Sequence, residues 1–161
     1  MSKIIILILT FLIASADSFN FTELRYIDAL DKSIELRGEI NFLENGLSIN
    51  YKESKKSLHL KEEKLTYIED GKYITLNESK KQKIIQYFEI IILLHNSDKK
   101  LLKTMFDIKI DGEKTLLKTK GTMRHFVTHI ELVQKENNLK NIKLFLKNSD
   151  YIIIKIDDEI R

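Results

Sequence analysis

The chain has 161 residues, of which 43% are hydrophobic and 32% charged, enough for one folded domain with a core and too apolar for a disordered tail. A net charge of +3, spread over both signs along the chain, excludes a nucleic-acid surface built on a basic stripe. The absence of cysteine excludes disulfides, so the fold must stand on its core alone.

The chain opens with "MSKIIILILTFLIASA". One cation, Lys3, precedes the apolar run Ile4 to Ile13 and the small-x-small triplet Ala14-Ser15-Ala16. This is the pattern of a secretory signal peptide over residues 1–16, with cleavage before Asp17. The run is short of the roughly 20 residues that span a bilayer, and no cysteine follows it for lipidation. The expected product is a single exported domain, residues 17–161, with no permanent membrane anchor.

Beyond Asp17 the apolar period is mostly two, the mark of half-buried strands. "FNFTELRYID" is short for an amphipathic helix, and a strand is the alternative there. "SIELRGEINF" puts Ile34, Leu36, Ile40 and Phe42 on one face, and "LSINYK" does the same with Leu47, Ile49 and Tyr51. Asn45-Gly46 between them predicts a hairpin turn with positive φ. "SLHLKE", "KLTYIE" and, after Asp70-Gly71, "KYITL" continue an antiparallel meander.

The pattern then breaks. In "KKQKIIQYFEIIILLHN", Ile84, Ile85, Phe88, Ile91 and Ile92 recur at helical spacing, as do Tyr87, Ile91 and Leu94. The β-branched run Ile90 to Ile92 leaves a buried strand as the alternative. Ser97 or Asp98 is placed to cap a second short helix, "KKLLKTM". Strands resume with "MFDIKI", which alternates Phe106, Ile108 and Ile110, and Asp111-Gly112 turns the chain into "KTLLKTK". "THIELVQ", "NIKLFLKN" and "DYIIIKID" complete a second meander, for roughly ten strands in all. The expected fold is mainly β: one curled antiparallel sheet, an incomplete barrel, with one or two helices covering its concave face.

Catalytic patterns are missing. His125 and His129 are four apart but straddle the start of a strand and lack a third ligand, and His59 and His95 stand alone. There is no nucleophile elbow or phosphate loop. The adjacent pairs Glu62-Glu63 and Asp157-Asp158 read as solubilising charges at strand ends. The lysine pairs Lys55-Lys56, Lys80-Lys81 and Lys99-Lys100 read mostly as solvated, with a partner-facing rim as the alternative. Neither an enzyme nor a cofactor or metal site is expected.

From Gly38 to Asp157 the order of elements resembles the LolA-like periplasmic carriers, which ferry lipoproteins or related lipids from the inner to the outer membrane of Gram-negative bacteria. "GEINFLENGLSINYK" looks like the family's strand-turn-strand, and "LHLKEEKLTYIE" like its next hairpin, with Glu63-Lys64 in place of an Asp-Gly-Lys turn. "IILLHNSDKKLLKTMFDIKIDGEKTLLKTKG" resembles the mid-chain helix, linker helix and strand pair, and "HIELVQKENNLKNIKLFLKNSDYIIIKI" the closing strands. The likeness lies in element order and spacing. The family's strand-end Arg-Pro, whose arginine ties the lid shut, has no counterpart in Leu43-Glu44-Asn45-Gly46.

The resemblance implies a periplasmic monomer that binds acyl chains of lipoproteins or related lipids without chemistry. An inner-membrane donor complex and an outer-membrane acceptor would be its partners. Cavity candidates on the first meander are Ile40, Phe42, Ile49, Tyr51, Leu58, Leu60, Leu65 and Tyr67, with Phe106 and Ile108 on the second. The lid is Ile84 to Leu94, with Ile84, Ile85, Phe88, Ile91 and Ile92 facing the cargo. Over a part-empty hollow, Phe88→Ala or Ile91→Ala should cost near or below the bottom of the range of about 2–5 kcal/mol for core truncations. The other reading is a periplasmic structural or protein-interaction module, whose helix fills the sheet and leaves no ligand site.

Overall fold

The computed structural model describes residues 18–96, 98–135 and 138–159. The expected signal peptide and Ser97 lie outside these residues. Eleven strands form one antiparallel sheet: β1 (Ser18–Ile27), β2 (Lys32–Leu43), β3 (Gly46–Tyr51), β4 (Lys56–Lys61), β5 (Lys64–Glu69), β6 (Lys72–Tyr73), β7 (Phe106–Asp111), β8 (Lys114–Thr119), β9 (Val127–Lys135), β10 (Asn138–Leu146) and β11 (Tyr151–Glu159). Their spatial order is β6-β5-β4-β3-β2-β1-β11-β10-β9-β8-β7, with β6 and β7 as free edges. "FNFTELRYI" supplies the strand beyond the ten expected, whereas "KYITL" contributes only Lys72 and Tyr73.

This order dictates the helices. The chain leaves the sheet at one edge, β6, and must re-enter at the other, β7, so the segment between them has to cross a face. That segment is α1 (Glu78–Asn96) followed by α2 (Lys99–Met105). At about 1.5 Å rise per residue, α1 spans roughly 28 Å, short of the roughly 48 Å that eleven flat strands would occupy. The twist of the sheet curls its edges toward each other and closes that gap. Asn77 caps α1, its Oδ1 accepting from the Lys80 N–H at 2.9 Å, and Asp98 caps α2 by accepting from the Lys100 and Leu101 amides at 3.0 Å. The expected helix therefore runs through Ile90 to Ile92, where a buried strand was the alternative.

Directly paired residues share a face of an antiparallel sheet, so the register sorts the side chains. Ile40 opposes Ile49, which opposes Leu58, which opposes Tyr67; Phe42, Leu47, Leu60 and Leu65 form the next row. Phe106 opposes Thr119, and Ile108 opposes Leu117, which opposes Ile130. These rows make the concave, helix-facing side. They join Tyr87, Phe88, Ile90, Ile91, Leu93 and Leu94 of α1 in one cluster of buried side chains.

The Asn45-Gly46 turn is built differently from the expectation. Neither residue has positive φ; the chain reverses at Glu44-Asn45, and Gly46 begins β3. Glycine is required there by crowding, since a Cβ would lie 1.9 Å from the Leu60 carbonyl oxygen. Left-handed backbone appears instead at Glu62 (φ 49°) and Glu63 (φ 64°), which form the β4–β5 turn. Asp70 (φ 49°) and Gly71 (φ 75°) are left-handed as well.

Candidate functional site

The concave face carries a buried charged cluster. Period two along β1 places Phe21, Glu23 and Arg25 on the helix-facing side, because Phe21 opposes Gly38 and Glu23 opposes Leu36. Glu23 is fully buried. Its carboxylate accepts from the Tyr87 hydroxyl of α1 at 2.8 Å, from the Tyr51 hydroxyl of β3 at 3.3 Å, and from the Arg25 guanidinium. Arg25 also donates to the Tyr51 oxygen at 2.9 Å.

The electrostatics of this cluster agree with its geometry. Burial, and then the negative charge of Glu23, hold both the Tyr87 and Tyr51 phenols above their ordinary range, so they remain protonated donors. Burial pulls the Arg25 guanidinium down, but the charge of Glu23, reinforced by Tyr51, outweighs it and the net shift is upward. The carboxylate is thus fully satisfied, and Tyr87 joins α1 to the centre of the sheet.

The far end of α1 is held by rings. His95 stacks on Phe42 with centroids 3.4 Å apart and planes 8° from parallel, and Phe19 meets the same histidine edge-on at 6.3 Å. Between the two anchors lies Phe88, fully buried, on the helix wheel between Ile84 and Ile85. Phe88 and Ile91 therefore do not cover an empty hollow, as the sequence suggested; they fill the middle of the concave face. Both side chains are buried, so the expected cost of their truncation rises into the ordinary core range of about 2–5 kcal/mol.

Free volume lies on either side of this plug. One hollow, of about 390 Å³, opens beside the first half of α1. Leu36, Leu58, Ile84, Phe126, Leu146 and Ile152 wall it, and Lys56, Lys80, Lys83 and Arg25 stand around it. The second, of about 440 Å³, lies beside the other half. Phe42, Leu60, Ile85 and Ile92 wall that one, Glu44, Glu62, Glu63 and Glu89 surround it, and among the described residues no lysine or arginine lines it. Burial, and then the charge of Glu63, raise the Glu89 carboxyl above its ordinary range.

The candidate residues divide between these regions. Tyr51, Leu58, Tyr67 and Ile84 line the basic hollow, and Phe42, Leu60, Ile85 and Ile92 the acidic one. Ile40, Ile49, Phe88, Ile91 and Phe106 belong to the packed core, and Leu65 is half-buried against it. Ile108 shares the concave face but is exposed near the free edge β7, away from both hollows. Sequence reasoning missed Glu23, Arg25, Ile90 and Leu93. A carboxylate and a guanidinium on the apolar face of "FNFTELRYI" were the signal for the first two.

Among the described residues no group of three potential ligands could hold a metal ion, and no helix is long and apolar enough to cross a membrane. No protein-family model matches the sequence, and no curated protein matches it.

Proposed function

We propose that the protein is a periplasmic carrier of acyl-chain amphiphiles, of the LolA-like kind, that takes lipoproteins or related lipids from an inner-membrane donor to an outer-membrane acceptor. One observation carries this reading: an apolar hollow of about 390 Å³ lies open between a helix and the concave face of an unclosed sheet. Such a volume is within the range of roughly 300–1,000 Å³ typical of small-molecule sites. Each methylene buried there contributes about 0.8 kcal/mol, so a single acyl chain is a substantial ligand. Displacing the lid side chains offsets part of that gain, which suits a carrier that must also release its cargo.

The test is mass spectrometry of organic extracts of the protein purified under mild conditions, with titration of a fluorescent fatty acid into the delipidated protein. Saturable binding in the micromolar range, reversed by phospholipid or lipopeptide, supports the carrier. No extracted lipid and no saturable binding would overturn it. The full burial of Phe88 and Ile90 favours the second reading, a periplasmic structural or interaction module. That module would fold and melt identically with and without lipid, whereas a carrier's melting temperature rises with cargo.

A further inference from the structure

The two hollows are similar in volume and opposite in charge. At the basic one, Lys80 and Lys83 project from the first two turns of α1 and make no ion pair among the described residues. Lys56 faces them from β4, paired with Glu69 at 3.1 Å. The carboxylate of this lining, Asp150, is already engaged, accepting from the Asp28 amide at 2.9 Å and from Asn148 at 2.7 Å. Ser54, on the same lining, has a buried Oγ with no hydrogen-bond partner among the described residues. An apolar hollow flanked by two ammonium groups outside any ion pair, Lys80 and Lys83, and by an unused hydroxyl is complementary to a molecule with an alkyl chain and an anionic head. At the other hollow, four glutamates would repel the same head.

We infer that the cargo is an anionic amphiphile, its chain in the basic hollow and its phosphate, sulfate or carboxylate head held by Lys80, Lys83 and Lys56; this rests on the carrier reading above. Charge decides which side of α1 the amphiphile occupies, since the apolar walls alone do not discriminate.

The experiment is calorimetric titration of the purified protein with dodecyl phosphate, monolaurin and dodecyltrimethylammonium below their micellar concentrations, and with inorganic phosphate alone. Dodecyl phosphate should bind about tenfold more tightly than the neutral or cationic probe, the sum of two near-surface charge contacts. The preference should shrink with added salt. Lys80→Gln with Lys83→Gln should abolish it while leaving monolaurin binding unchanged, and Glu63→Gln with Glu89→Gln should leave it intact. Equal binding of all three amphiphiles overturns the inference and leaves the carrier standing. So does equal loss of every probe in the lysine variant. Inorganic phosphate binding as tightly as dodecyl phosphate makes this an anion site and overturns the inference. Failure of every amphiphile to bind overturns the carrier reading itself, and the inference with it.

Discussion

The middle and the end of α1 are held by different chemistry. At its midpoint the helix is tied down by a charge-assisted network, Tyr87 to Glu23, beside a basic hollow. Near its end it is tied down by stacked rings, His95 on Phe42, beside an acidic hollow. A buried hydrogen bond to a carboxylate is geometrically specific and costly to break, whereas a ring stack is weaker and tolerates sliding. The helix is therefore pinned at its middle by a bond of fixed geometry.

The largest effect should come from the plug that separates the two regions. Phe88→Ala should destabilise by about 3–5 kcal/mol in urea denaturation, because a fully buried ring leaves a cavity. It should also join the hollows, so that the preference of anionic probes for one side weakens. Glu23→Gln should rank next, at up to about 3 kcal/mol, since it weakens the charge-assisted hydrogen bonds that three donors make to a fully buried carboxylate.

Comparing the two anchors directly sharpens the contrast. Tyr87→Phe should cost about 1.5–3 kcal/mol, the value of a hydrogen bond to a charged group. His95→Ala should lose about 0.5–1.5 kcal/mol from the ring stack, beyond its burial. Equal losses in the same denaturation series would break the comparison.

The smallest effect concerns the acidic hollow. Glu89 has a raised folded pKa, so the folded state holds its proton more tightly than the unfolded chain does. Its contribution is therefore present below the ordinary carboxylate pKa and is lost as pH rises through the raised value. Glu89→Gln should be slightly more stable than the parent at neutral pH. The difference should vanish in acid, as read from melting curves across pH.

The sheet was legible because alternation is a local signal. Ile40 and Phe42 declare their face within a few residues, and the face of each neighbouring strand follows from register. The helix was legible from spacing, but its filled underside was not. Whether Phe88 meets a hollow or a wall depends on strands far away in sequence. Glu23 illustrates the same limit: a strand carboxylate reads as solvated until Tyr51 and Tyr87 converge on it from two other elements. The placement of the lysines was illegible for a related reason, since Lys56 and Lys80 share a hollow only after the sheet has curled. Asn45-Gly46 was marked as a turn for the wrong cause: the glycine answers to a neighbouring carbonyl and not to φ.

The strand order has a consequence for how the chain assembles. Every neighbouring pair in the sheet is a sequence-adjacent hairpin except one, β1 with β11. Each meander can zip up by itself at small loop-closure cost, but the central seam joins the strands farthest apart along the chain. Folding should thus proceed as two half-sheets that dock late. Glu23 lies on a seam strand, opposite Ile154, so docking of the two half-sheets should complete the desolvation of its carboxylate.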